Sequence, residues 1–275
     1  MLWRIMKNLT WYYPTTLKEA TALLAEPGIG PHGGGTGILR TGTDHLSGLI
    51  DLRYLPLFAF KQEDDTVEIG AGLTFSDVVR HEKMTDPDSI LVQSLSRAAA
   101  TPLRNRITVG GSIAMAPVWS DLLGPLIALE AELVLAGAHE GVVPVESYLQ
   151  DRALQTGTLI TGVRYKAGNW RAQYFRASAT RFDYASFTIT ALAQVDERQI
   201  IEALRLVVVG NKQKYARLAE LETHLTGHKV SDIDFARLGT GSDVAFSAKT
   251  IGSADYVRHC FQVELERTLE AVLAP

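Results

Sequence analysis

Gly28-Ile29-Gly30-Pro31-His32-Gly33-Gly34-Gly35-Thr36-Gly37-Ile38-Leu39-Arg40-Thr41-Gly42 is the stretch on which the reading of this chain turns. Seven of its residues are glycine, too many for the interior of an ordinary helix or strand, so a shaped loop is expected. A literal GxGxxG lies at Gly28, Gly30 and Gly33. A Rossmann dinucleotide site needs a strand immediately before that motif and a helix immediately after it. Here TTLKEATALLAE, from Thr15, sets Leu17, Ala20, Ala22, Leu23 and Leu24 mostly on one helical face. Thr15 or Thr16 is its cap, and Pro27-Gly28 is its stop. A helix therefore precedes the motif, and the Rossmann reading fails. No GKS or GKT is present, which removes the P-loop reading. What survives is Gly33 to Gly37. Consecutive glycines let backbone N–H groups approach an anion closely, and the Thr36 hydroxyl adds a donor. Taken alone, such a cluster more often serves a turn.

A second loop of the same kind follows in Arg104-Asn105-Arg106-Ile107-Thr108-Val109-Gly110-Gly111-Ser112-Ile113-Ala114. It is expected to turn between extended segments, with small hydroxyl residues beside its glycine pair and basic residues just upstream. Two such loops fit a diphosphate, which offers two charged groups. Asp121 could accept from a ribose or ribityl hydroxyl, or could stand at a helix N-terminus favoured by the dipole.

Working outward, GLIDL, LFAF and TVEIGAGLT read as strands, the last alternating Val67, Ile69, Ala71 and Leu73. FSDVVRHEKM reads as a helix capped by Thr74 or Ser76, and SILVQSLSRAAATP as another stopped at Pro102. Leu122 to Leu129 reads as helix, Glu132 to Ala136 as strand, and TLITGVRYK as the last strand of the N-terminal region. Ala167 to Trp170 is a plausible boundary, giving domains of 1–167 and 168–275. Beyond it, FRASATRFDYASFTITALAQV is strand or helix, IIEALRLVVVG a strand, and YARLAELETHLTG and ADYVRHCFQVELERTLEAVL helices. The last sets Val257, Cys260, Phe261, Leu265, Leu269 and Val272 at helical spacing, which makes Cys260 a core residue rather than a reactive one. Strands and helices alternate without a βαβα rhythm, so the expected class is α+β.

The 275 residues are 46% hydrophobic and 21% charged, ordinary globular usage with ample core material. A net charge of −4 supplies no basic field for nucleic acid or an anionic membrane. Arg4 and Lys7 interrupt the apolar residues of the opening segment, so no signal-peptide core or membrane span is expected there, and Met6 reads as a natural start. The single cysteine excludes an intrachain disulfide and any cysteine-ligated iron–sulfur cluster held by this chain alone. No HExxH pair or calcium loop accompanies the seven histidines, so no metal site is assigned.

The pair GGGTGIL and LRNRITVGGSIAMAPVWSD resembles the two flavin-contacting signatures of the FAD-binding subunit of molybdenum hydroxylases, the xanthine dehydrogenase and carbon monoxide dehydrogenase family. YYPTTLKEATALLAE, LIDLRYLPL, EIGAGLTFSDV and VVPVESYL are similar to that family in the same order, through about Lys166. FRASATRFDYA and LAELETHLTG continue the likeness more weakly. The resemblance implies a vanillyl-alcohol-oxidase-type FAD-binding region of two lobes and a C-terminal domain with a small antiparallel sheet and helices. It assigns Gly34, Gly35, Thr36 and Gly37 to a first pyrophosphate loop, with Gly33 and Ile38 beside them in the cofactor-binding set. Thr108, Val109, Gly110, Gly111 and Ser112 form the second loop. Asp121 matches an acidic position near the ribityl or ribose hydroxyls, and Arg181 and Asp183 match a basic-acidic pattern that could equally be an exposed ion pair. Pro117-Val118, followed by Trp119, stands where the family commonly has Asp-Pro, and Gly37 where an acidic or polar residue is usual. Trp119 is either a stacking partner for a ring or a core residue.

No catalytic acid–base pair is implied, because the flavin carries the electrons. The resemblance implies a cytoplasmic heteromer with a molybdenum-pterin large subunit and a [2Fe-2S] small subunit, passing electrons through FAD to a small-molecule acceptor. The rival readings are a stand-alone flavin oxidoreductase and a flavin-free scaffold relative.

Overall fold

The computed structural model describes residues 9–86, 88–239 and 242–274; the opening residues 1–8, including Arg4, Met6 and Lys7, lie outside them. The chain divides into two compact units. The first runs through Val78 and adds Thr101–Met115 and Glu130–Lys166; the second takes Val79–Ala100, Ala116–Leu129 and the chain from Ala167. Two segments that precede residue 167 therefore group with the C-terminal residues rather than with their neighbours in sequence.

The first unit holds two sheets. Strands β1 (Thr10–Tyr12), β2 (Ile29–His32) and β3 (Gly48–Asp51) form a three-stranded sheet in the order β1-β3-β2, parallel throughout. Helix α1 (Leu17–Leu24) joins β1 to β2 and buries Ala20 with Ile50, Leu55, Leu57 and Leu159. Its start is fixed by a capping box. The Glu19 N–H donates to Thr16 Oγ1 at 3.2 Å and the Thr16 N–H to Glu19 Oε2 at 3.3 Å, so Thr16 is the cap. The other sheet is antiparallel, in the order β4-β5-β8-β6-β7: β4 (Phe60–Glu63), β5 (Thr66–Gly70), β6 (Glu132–Gly137), β7 (Gly141–Pro144) and β8 (Thr158–Lys166). Val67, Ile69, Ala71 and Leu73 are all buried, as their alternation requires. Of LFAF only Phe60 enters a strand.

In the second unit β9 (Arg171–Ala177), β10 (Phe187–Val195), β11 (Ile201–Asn211) and β12 (Lys214–Arg217) form an antiparallel sheet in the order β12-β11-β10-β9. The stretch that reads as strand or helix is thus two strands, and Tyr215, Ala216 and Arg217, expected as the start of a helix, belong to β12. Phe187, Ile189 and Ala191 of the central strand meet Val257, Phe261, Leu265 and Leu269 of the C-terminal helix (Ala254–Leu273) in one apolar core, with Cys260 packed against it. Burying each such side chain contributes about 1.5–3 kcal/mol. Behind the alternate positions lie Ile90–Leu95 and Leu123–Ala128. There Gly124 comes so close to Thr190 that a Cβ would stand 2.7 Å from its Oγ1.

The helices between are α2 (Thr36–Thr41), α3 (Phe75–Thr85), α4 (Ile90–Leu95), α5 (Thr101–Arg104), α6 (Val109–Met115), α7 (Leu123–Ala128) and α8 (Val145–Gln150), followed by α9 (Ala219–Leu225) and the C-terminal α10. Thr74, not Ser76, caps α3. Its Oγ1 accepts from the Asp77 N–H at 3.2 Å, and its own N–H donates to Asp77 Oδ2 at 3.0 Å.

Three local expectations change. The glycine run is not loop throughout: β2 takes Ile29–His32, Thr36 opens α2, and only Gly33 to Gly35 connect them. Gly28 stands before β2 and Gly30 within it, so the GxGxxG still does not form a strand-turn-helix site. The second glycine pair begins a helix rather than a turn, because Gly110 and Gly111 occupy the first turn of α6. Residues 89–102 form two short helices, and Pro102 sits in the first turn of α5, where its missing N–H costs nothing.

Candidate functional site

The two glycine loops meet backbone to backbone within the first unit. A Cβ on Gly34 would lie 1.5 Å from the Arg106 carbonyl oxygen and 2.6 Å from its carbon. Only glycine permits that approach. The Arg106 side chain returns to close it, with Nε and Nη2 donating to the Gly34 carbonyl oxygen at 3.2 and 3.0 Å. Around this contact a Cβ on Gly33 would stand 3.0 Å from Thr108 Oγ1, and one on Gly37 2.5 Å from Met115 Sδ. Gly35, at φ +76, takes the left-handed conformation that starts α2, which a side chain would strain.

The backbone donors of the loops are used differently. In the second loop, Val109 N–H donates to the Leu73 carbonyl and Gly110 N–H to that of Ala71, both at 2.9 Å. Ser112 N–H donates to the Thr108 carbonyl at 2.9 Å, and Gly111 N–H to Thr108 Oγ1 at 3.3 Å. Gly110 is required there because a Cβ would meet that of Ala71 at 2.8 Å. In the first loop, among the described residues, no backbone–backbone hydrogen bond takes the N–H of Gly34, Gly35, Thr36, Gly37 or Ile38; the first to be taken is Leu39, to Gly35 at 3.1 Å. A run of N–H groups without backbone acceptors, beside a guanidinium, is a donor array of the kind that suits an anion. The first loop therefore offers the donors, and the second shapes and supports it.

His32 ends β2 just before the loop and packs edge-on against Trp11, centroids 4.9 Å apart. Burial pushes its pKa below the ordinary histidine value, against the pull of Asp51. The imidazole is therefore neutral at pH 7, and the positive charge at the loop belongs to Arg106. Neither His32 nor the Arg106 clasp is singled out by the sequence; the only signal is a basic residue next to the second glycine pair.

The remaining predicted residues lie in the second unit. Asp121 precedes α7 and is buried with its partners: Tyr174 Oη and Arg176 Nε both donate to its Oδ1 at 2.8 Å. Burial pushes its carboxyl up to about 6, with Arg176 and Tyr174 opposing the rise. The Tyr174 phenol is pushed well above its usual range, by burial first and then by the Asp121 charge. Asp183 Oδ2 accepts from the Thr180 N–H at 3.1 Å, and its carbonyl accepts from Arg176 Nη2 at 2.6 Å. The exposed Arg181 lies over the Phe182 ring, 5.8 Å from its centroid. Trp119, half-buried, packs against Tyr184 with centroids 4.6 Å apart and a 37° tilt. The predicted set thus falls into Gly33–Ile38 with Thr108–Ser112 in one unit, and Asp121, Arg181 and Asp183 in the other.

Among the described residues no group of three or more His, Cys, Asp or Glu side chains could hold a metal, and no helix is long and apolar enough to cross a membrane.

Comparison with known proteins bears on this geometry. Residues 7–165 match the family model described as the FAD binding domain in molybdopterin dehydrogenase. The alpha subunit of the 6-hydroxypseudooxynicotine dehydrogenase complex of Paenarthrobacter nicotinovorans is 28% identical over 82% of this chain and 79% of its own length. The carbon monoxide dehydrogenase medium chain of Hydrogenophaga pseudoflava is 26% identical over 69% of this chain and 76% of its own. The solved structure of the carbon monoxide dehydrogenase from that organism superposes with a TM-score of 0.89, at 22% identity, over 98% of this chain and 99% of that one. That agreement shows the same mixed α+β fold. With its two clasped glycine loops inside the matched segment, the chain belongs to the FAD-binding medium-subunit family of the molybdopterin dehydrogenases.

Proposed function

We propose that this chain is the electron-transfer subunit of a molybdenum hydroxylase complex, binding FAD with Gly33 to Ile38 and Thr108 to Ser112. The observation that carries the reading is the clasp at Gly34 and Arg106. It leaves five consecutive N–H groups without a backbone acceptor among the described residues and puts a guanidinium beside them. The fit to a pyrophosphate is chemical: the Thr36 and Ser112 hydroxyls add donors, and the glycines let the two loops approach closely enough for Arg106 to reach the first.

Amides of Gly34 to Ile38 and the Arg106 charge hold the anion. The bonds of Val109 to Leu73 and of Gly110 to Ala71, with those of Gly111 and Ser112 to Thr108, keep the second loop rigid. The flavin, when bound, supplies one- and two-electron chemistry between a partner's [2Fe-2S] clusters and an external acceptor. A single cysteine cannot ligate such a cluster, so the clusters belong to a small subunit and the molybdenum-pterin to a large one. The names of the relatives, a complex subunit and a medium chain, support that division.

The test is to co-express the chain with candidate partner subunits and to assay flavin and hydroxylation in the assembly and in the chain alone. The chain alone is expected to take up FAD and to hydroxylate nothing. Hydroxylation by the isolated chain, or failure of both preparations to hold FAD, would overturn the reading.

A further inference from the structure

Arg176 joins two pieces of the second unit that are far apart in sequence. Its Nε donates to Asp121 Oδ1 at 2.8 Å, and its Nη2 to the Asp183 carbonyl at 2.6 Å. The side chains of Asp121 and Arg176 are only 5% and 7% exposed, and Tyr174 completes the hydrogen bonding of Asp121 Oδ1. Asp183 closes its own turn, through Thr180 N–H to its Oδ2 at 3.1 Å and its N–H to the Thr180 carbonyl at 3.3 Å. The next residue is Tyr184, 61% exposed, whose ring meets that of Trp119. Trp119 in turn stands just upstream of Asp121. Each ring of the pair is therefore anchored, a residue or two away along the chain, to one end of the same guanidinium.

A buried ion pair is a poor way to gain stability, since apolar residues of the same volume often serve as well or better. What it provides here is geometry. A guanidinium presents a rigid fork of donors, whereas a lysine ammonium is a single compact charge on a flexible stem. We propose that the buried Asp121–Arg176 pair is a two-ended clamp that sets the Trp119–Tyr184 aromatic pair, making Arg176 the residue that positions these two rings within the second unit.

The experiment compares wild type with Arg176→Lys, Arg176→Met and Tyr184→Ala in the full chain. Fluorotryptophan NMR reports the Trp119 environment, and amide hydrogen exchange reports residues 178–186, both without FAD. Lysine keeps a charge for Asp121 but cannot also reach the Asp183 carbonyl. Arg176→Lys is therefore expected to move the Trp119 resonance toward its Tyr184→Ala position and to raise exchange at 180–184 about tenfold, while β10 and α10 keep their protection. Arg176→Met is expected to show the same shift more strongly. An unmoved resonance with unchanged exchange in the lysine variant overturns the clamp. So does a shift that occurs only with loss of protection throughout β10 and α10, which marks a merely structural role.

Discussion

Replacing Gly34 with alanine adds one methyl group at the point where the two loops touch. That Cβ would lie 1.5 Å from the Arg106 carbonyl oxygen and 2.6 Å from its carbon, against about 3.3 Å for a close C···O contact. The loops must part by about 2 Å, and the obstructing atoms are backbone, with no flexible side-chain end to swing aside. Gly34 is not among the glycines at positive φ, so the penalty is steric rather than conformational. Overpacking typically costs about 1–3 kcal/mol, and weakening two Arg106 hydrogen bonds adds about 1 kcal/mol. A total of about 3 kcal/mol, taken from the binding-competent arrangement, corresponds to a loss on the order of a hundredfold in FAD affinity. The assay is fluorescence titration with FAD beside urea unfolding. Gly30→Ala is the control, because its Cβ meets only the tip of the Leu46 side chain, at 3.2 Å. Wild-type affinity and stability in Gly34→Ala would refute the clasp.

Three further outcomes follow from the same structure. Arg106→Met removes both donors to the Gly34 carbonyl and the charge at the loop, so FAD affinity should fall about tenfold or more and lose part of its salt dependence in a titration at varied ionic strength. Burial pushes the Asp121 carboxyl up to about 6 in the folded chain, above the ordinary aspartate value of 3.8. The folded chain therefore binds this proton more tightly than the unfolded one, and stability should fall by up to about 3 kcal/mol as pH rises from about 4 through about 6, then level off. Urea unfolding from pH 4 to 7 should show that slope in wild type and lose it in Asp121→Asn, although the variant is less stable overall because Arg176 is left buried without its partner. Thr16→Ala breaks the capping box of α1 and should cost about 1 kcal/mol in thermal unfolding with FAD affinity unchanged.

Local periodicity and caps carried the elements that stand on their own residues. The helix read from Ala254 is α10 over the same span, and the alternation from Val67 to Leu73 is buried as it reads. What could not be read depends on distant partners. The second glycine pair looks like a turn, yet it opens a helix, because the Gly110 backbone must lie against Ala71. The clasp joins Gly34 to a residue 72 positions away, and Asp121 finds its donors 53 and 55 positions on. In isolation Asp121 reads as an acceptor open to a sugar hydroxyl, whereas its Oδ1 is occupied by Tyr174 and Arg176. The grouping of Val79–Ala100 and Ala116–Leu129 with the C-terminal residues has the same origin. It is set by packing on β9 to β11, which no composition shift announces.

Amide hydrogen exchange of the wild-type chain with and without FAD tests the central claim most directly, since it reads the proposed donors one by one. FAD should slow exchange at Gly34 to Ile38, where no backbone acceptor is present among the described residues. Val109 and Gly110, already bonded to Leu73 and Ala71, should change little. If FAD binds and leaves Gly34 to Ile38 unprotected, the pyrophosphate is held elsewhere and the account is contradicted.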